Sequence, residues 1–298
     1  MKRVVHLFVS LAIIAGLMVP TAGAVTDNLA SKPVAKTLYG NDINFDAASD
    51  GVVSIFYNSA QENKMKLVVE LGKEKYIYNL FNNEEYVNYP LQLGDGTYKV
   101  SIYQNTTGTK YKKVSSKSQY VVAEDENDVY LQSVLEINWE LEDDSIQLAD
   151  ELIASALEVK KEGIAIEDQQ TVALSEEEII NELYLYVIEN ISYDYDKING
   201  LDYSYVPKND NTLEDQAGIC YDYSSLLASM LRSQGIPAKM AKGYANTSSV
   251  YHAWNEVYLS DEDRWVVVDT TYDAYMVQNG YAYTFEKVSA NYNKVKEF

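Results

Sequence analysis

The sequence predicts an α+β protein, with an all-β, sandwich-like domain followed by a domain of mixed helices and strands. Three observations carry this. From about residue 36 to 125, short apolar alternations recur between turn residues. From Asp144 the apolar spacing changes to the helical i, i+3, i+4, i+7 pattern. From Gly218 to Tyr272 an amphipathic helix is followed by two alternating strands. With 47% hydrophobic and 23% charged residues, the 298-residue chain carries enough apolar material for two ordinary cores. The expected organisation is a signal peptide over 1–24 and a β domain over 25–125. A charged helical segment over 126–174 is either a linker or the start of the second core, and the mixed domain occupies 175–298.

The N-terminus has the grammar of a secretory signal. Lys2 and Arg3 form a positive end, Leu7 to Val19 is apolar, Pro20 breaks the run, and Ala22-Gly23-Ala24 suits a peptidase. The apolar stretch falls short of the roughly 20 residues that span a bilayer. Cleavage after Ala24 and a secreted or envelope-associated protein are expected, with membrane contact only during export. Cleavage would also remove His6, leaving Cys220 and His252 as the lone thiol and lone imidazole of the mature chain.

The β domain reads as strands at Gly51–Tyr57, Lys64–Leu71, Lys75–Leu80, a run through Tyr98, Val100 and Ile102, and Gln119–Val122. Gly94-Asp95-Gly96 reads as a hairpin turn. This spacing suggests a β-sandwich. The dense tyrosines are explained by packing and strand propensity more simply than by binding.

A helix beginning near Asp144 places Ala149, Leu152, Ile153, Ala156 and Leu157 on one face and ends at Gly163. Ser175 with Glu178 forms a capping box for the next helix, whose apolar face is Ile179, Ile180, Leu183, Tyr184, Val187 and Ile188. A polar loop is expected from there to about Asp215. Gly218-Ile219-Cys220 then opens a helix with Tyr223, Leu226, Leu227, Met230 and Leu231 buried, closed by Gly235 and Pro237.

Cys220 thus sits in the first turn of a helix. Unpaired backbone N–H groups and the positive end of the helix dipole favour the thiolate there, which is the reactive form. An isolated cysteine is more often an inert small hydrophobe. His252 lies in the strand Val250–Leu259, and Asp269 ends the strand Trp265–Asp269. The odd separation of His252 and Asp269 permits direct opposition across a hairpin. Asp269 would then hold one imidazole nitrogen and leave the other for Cys220, giving nucleophile, base and orienter.

These residues lie in blocks that resemble the transglutaminase-like superfamily. The blocks are Gly218-Ile219-Cys220-Tyr221-Asp222-Tyr223, Leu231-Arg232-Ser233-Gln234-Gly235-Ile236-Pro237-Ala238 and Gly243-Tyr244, followed by His252-Ala253-Trp254-Asn255-Glu256-Val257 and Trp265-Val266-Val267-Val268-Asp269-Thr270-Thr271. The resemblance covers roughly 180 to 285. It implies a papain-like α+β core, a catalytic triad of Cys220, His252 and Asp269, and acyl transfer through a Cys220 thioester to an amine or to water. The oxyanion needs two donors. The Cys220 backbone N–H is one, and Tyr193, Tyr195 and Gln216 are candidates for the other. Packing or solvation explains Gln216 better. Trp254 is expected beside the imidazole, shielding it.

Composition narrows the partners. The net charge is −21 with pI about 4.4. That repels phosphate backbones, so nucleic acid is not an expected partner. One Cys and two His make multi-Cys and His-based metal sites improbable, and Asp261-Glu262-Asp263 matches no EF-hand loop, so no metal and no cofactor are expected. The expected substrate is protein or cell-wall peptide, with oligomeric state and the choice between hydrolysis and transamidation open. The competing reading is an envelope-binding or adhesive module that keeps the fold without turnover. A third is an enzyme-like fold whose Cys220 is buried and inert.

Overall fold

The computed structural model describes Lys32 and residues 39–61, 63–202, 204–246 and 249–298. The expected signal peptide and its cleavage site lie outside the described residues.

The N-terminal half is built from β1 (Gly40–Asn44), β2 (Val52–Asn58), β3 (Met65–Leu71), β4 (Glu74–Leu80), β5 (Val87–Pro90), β6 (Gly96–Thr107) and β7 (Lys110–Val121). They form two antiparallel sheets, ordered β1-β2-β5 and β4-β3-β6-β7. Alternation decides which face goes inward. Leu67 pairs with Ile102 and Val69 with Val100, all fully buried, while Glu70 and Lys99 pair on the other face and form an ion pair. Val53 and Ile55 of the smaller sheet join the same core.

Two turns differ from the sequence expectation. Gly94-Asp95-Gly96 is not a hairpin turn: it joins β5 of one sheet to β6 of the other. The hairpins turn instead at Gly72-Lys73 and Gly108-Thr109, where both glycines have positive φ. Gln119–Val122 is only the end of the 12-residue β7. That strand lies at a sheet edge and is mostly exposed, so it has no apolar alternation to betray it.

The C-terminal half comprises α1 (Asp144–Lys161), α2 (Glu176–Asn190), β8 (Ser192–Tyr193), α3 (Tyr195–Asn199), α4 (Asn209–Asp215), β9 (Ala217–Gly218), α5 (Cys220–Ser233), β10 (Ala238–Ala245), β11 (Tyr251–Leu259), β12 (Arg264–Val268), α6 (Thr270–Gln278) and β13 (Tyr292–Glu297). The capping box at Ser175 and Glu178 is formed, and the six apolar residues expected on α2 are buried. The expected polar loop to Asp215 instead contains α3 and α4. Neither has a long apolar period. Asp194 caps α3, and Asn209 at the start of α4 bonds to Ser229 of α5.

The second sheet runs β12-β11-β10-β13, with α5 packed on β10 and β11, and α2 against α5 and α6. Residues 128–139 bury Tyr130, Val134, Ile137 and Trp139. They also give carbonyls of Gln132 and Glu136 to Arg232 and Ser225 of α5. The same stretch also reaches the β half, where the Leu135 N–H bonds the Asn88 carbonyl and Val129 lies against Gly51. Arg232, fully buried, also donates to the carbonyls of Ala238 and Phe298. The two halves meet at the last strand, where Gln92 and Tyr130 bond to Glu297, and Tyr76 and Tyr78 pack on Phe298.

Candidate active site

The start of α5 is fixed from both sides. Its apolar residues Tyr223, Leu226, Leu227, Met230 and Leu231 are fully buried and anchor the helix on the sheet. At the entry, Asp222 accepts the Ile219 N–H at 2.9 Å, which is a cap supplied from within the first turn. Gly218 is required there: a Cβ would stand 2.7 Å from that of Asp222. Cys220 is the first helical residue and is half-buried.

His252 comes from β11. Its Nε2 lies 2.8 Å from Asp269 Oδ2, which leaves Nδ1 as the nitrogen available to Cys220. Burial is the largest single influence and works against the imidazolium. The hydrogen bonds and charges of Asp269 and Cys220 outweigh it and push His252 up to about 10. The imidazole is therefore held in its charged form at neutral pH.

Asp269 does not sit opposite His252. The β11–β12 ladder ends at Asn255↔Val268, and extending that register places Asp269 across from Trp254. Asp269 has already left the strand and caps α6, its Oδ1 accepting from the Tyr272 N–H at 3.1 Å. Oδ2 is thereby aimed back at His252. It also accepts from Tyr292 of β13 at 2.9 Å. Helix α6 is held in turn by buried Asp273, which takes Lys287 at 2.6 Å and the Tyr184 hydroxyl at 2.7 Å. Behind His252, Gly243 lets β13 approach. A Cβ there would fall 2.1 Å from the Asn293 carbonyl and 3.0 Å from Trp254.

The other sequence candidates are dispersed. Trp254 is buried and stacks on His252 with centroids 6.2 Å apart. Tyr193 is half-buried, and the parallel β8–β9 pair places it opposite Gly218, two residues before Cys220. Burial, together with the charge of Cys220, pushes Tyr193 up to about 12, so its hydroxyl remains a donor. Tyr195 is 67% exposed and packs its ring on Tyr193 at 4.8 Å. Gln216 is exposed with φ 47°, and its backbone carbonyl accepts from Ser192 N and Oγ.

Three neighbours of the site escaped the sequence reading. Tyr292 arrives from a strand with no motif. Asp222 carried a usable signal, an acidic residue at the third helical position. Lys242 of β10 lies 3.3 Å from the centroid of the Tyr221 ring, and burial lowers its pKa while the carboxylate of Glu136 and Cys220 oppose that.

Residues 165–270 match the family model of the transglutaminase-like superfamily, so the C-terminal half carries a transglutaminase-like core. Over 88 residues the chain is 34% identical to YebA, an uncharacterized protein of Bacillus subtilis (strain 168); the match covers 22% of this chain and 12% of that protein's length. Among solved structures, a proposed cysteine protease from Cytophaga hutchinsonii aligns with TM-score 0.39 and 16% identity, over 83% of this chain and 76% of that one. LapG of Legionella pneumophila aligns with TM-score 0.36 and 15% identity, over 52% of this chain and 81% of that one.

Proposed function

We propose that the protein is an exported cysteine-dependent acyl transferase acting on protein or cell-wall peptide, with Cys220 as nucleophile, His252 as acid and base, and Asp269 as its orienter. The observation that carries the reading is the 2.8 Å hydrogen bond between Asp269 Oδ2 and His252 Nε2, with the chain's sole cysteine at the start of the helix packed on the His252 strand. Export rests on the N-terminal sequence alone.

The Cys220 sulfur attacks a carboxamide or peptide carbonyl, and a C–S bond forms as the carbonyl π pair moves to oxygen. The Cys220 backbone N–H and the Tyr193 hydroxyl are the proposed donors to that oxyanion. The tetrahedral adduct collapses, the C–N bond breaks, and the imidazolium gives its proton to the leaving amine. The resulting thioester is attacked by water or a second amine, whose proton returns to His252, and the C–S bond breaks to release the acyl product and the Cys220 thiolate.

The test is to incubate residues 25–298 with a glutamine-bearing protein, with and without a fluorescent primary amine. Intact mass spectrometry follows acyl adducts on Cys220, amine incorporation and peptide cleavage. Activity in any channel that is lost in Cys220→Ser and His252→Ala supports the reading. Absence of every adduct across the substrates, with an unreactive thiol, sinks it.

A further inference from the structure

Asp222 presents a physical problem. Its side chain is fully buried and lies two residues past Cys220, where a second negative charge would oppose the thiolate and the oxyanion. The fold answers it with a strap from the preceding segment. Lys197 Nζ lies 2.8 Å from Asp222 Oδ2, the same oxygen that caps Ile219 N–H. The Tyr205 hydroxyl donates to Oδ1, and the Lys197 ammonium lies 4.8 Å from the centroid of the Tyr205 ring. The strap is itself tied to the site. Asp194 N–H bonds the Gly218 carbonyl at 2.9 Å, and the Asp194 carboxylate accepts the N–H groups of Asp196 and Lys197.

We propose that Lys197 and Tyr205, acting through Asp222, are positioning residues that neutralise the buried carboxylate and so keep the Cys220 end of α5 able to hold a thiolate. This rests on the reading of Cys220 as the nucleophile. Without the pair, Asp222 either keeps its charge beside the sulfur or takes a proton and loosens the cap on Ile219. Among the described residues, the other titratable groups facing Cys220 are His252 from β11, Tyr193 from β8, and Lys242 from β10 with Glu136 behind it. They are constant between the variants below.

The experiment is alkylation of residues 25–298, which contain every described residue, with iodoacetamide from pH 5 to 9, read by mass on the single thiol. Lys197→Met is expected to move the midpoint of the rate profile up by about one pH unit, roughly a tenfold loss of rate at pH 6. Tyr205→Phe moves it the same way by less, and Lys197→Arg keeps the wild-type profile. Adding Asp222→Asn to Lys197→Met returns the midpoint, because the uncompensated charge is gone while an oxygen still caps Ile219. Should Lys197→Met fail to fold, Lys197→Gln and Tyr205→Phe carry the same comparison. The proposal is overturned if the profiles of wild type and the Lys197 variants superimpose. It is equally overturned if the rate falls uniformly at every pH with no movement of the midpoint, which would mark a purely structural role. A wild-type thiol that reacts only in the range of a free thiol would instead refute the nucleophile reading itself, and this proposal with it.

Discussion

Replacing Asp269 by Asn removes one negative charge from the triad and changes little in shape. The Asn oxygen can keep the bond to Tyr272 N–H, which leaves the NH₂ group facing His252 Nε2 and the Tyr292 hydroxyl, both former donors. His252 must then present an unprotonated Nε2, the wrong tautomer for exchange with Cys220. The imidazole is pushed from 6.5 to about 10 in the native protein, and its side chain is only 18% exposed. Each pH unit between those values is worth about 1.36 kcal/mol, so the charged form is favoured by about 5 kcal/mol. Cys220 shares that role with Asp269, so the carboxylate supplies only a part of it. Because the folded-state value lies above the unfolded one, this stabilisation is complete below pH 6.5 and is lost as pH rises through about 10. The assay is proton NMR of residues 25–298, in which His252 is the lone histidine and its Cε1–H needs no assignment. The wild-type resonance should titrate near pH 10, and that of Asp269→Asn below about 8. Urea unfolding should show the gap between the two proteins at pH 6 and its closure by pH 10. A wild-type imidazole that titrates near 6.5, or an Asn variant that stays above 9, would refute the electrostatic account of the pair.

Three further outcomes follow from packing. Gly243→Ala forces a Cβ against the Asn293 carbonyl and should cost at least about 2 kcal/mol in urea unfolding, with β13 the first strand to lose amide protection. Arg232→Met leaves the carbonyls of Gln132, Ala238 and Phe298 without their donor, and should cost at least about 3 kcal/mol; a loss under about 1 kcal/mol would show that those carbonyls find other partners. Ser175→Ala breaks the capping box of α2 and should lower stability by about 1 kcal/mol while leaving Cys220 alkylation unchanged.

What could be read from the sequence is what local physics determines. The α2 face, its capping box, the Cys220 helix and its glycine-proline exit all depend on residues within a turn or two of each other. The strand carrying His252 was legible because Val250 to Leu259 alternates. The pairing of His252 with Asp269 was legible in kind, but its geometry was not: the register is offset, and the carboxylate reaches back from a helix cap. Strands β1 and β5 are too short, and β7 too polar, to stand out from loops. Tyr292, and the contact of Lys197 with Asp222, are products of tertiary approach, for which one sequence offers no local sign. Among the oxyanion candidates, burial and the parallel pairing of β8 with β9 separate Tyr193 from Tyr195 and Gln216.

The buried guanidinium of Arg232 also bears on how the chain reaches its native state. Its three acceptors come from Gln132, Ala238 and Phe298, so the charge is not fully bonded until segments from three distant parts of the chain have met. Until β13 docks on β10, a desolvated cation sits among carbonyls still waiting for the last strand. Such long-range closure makes the final step slow relative to helix formation. The intermediate before it should hold α2 and α5 together with an open sheet edge at β10. Refolding of this chain is therefore expected to be rate-limited by capture of β13, with the triad completed only when Tyr292 arrives on Asp269 in the same event.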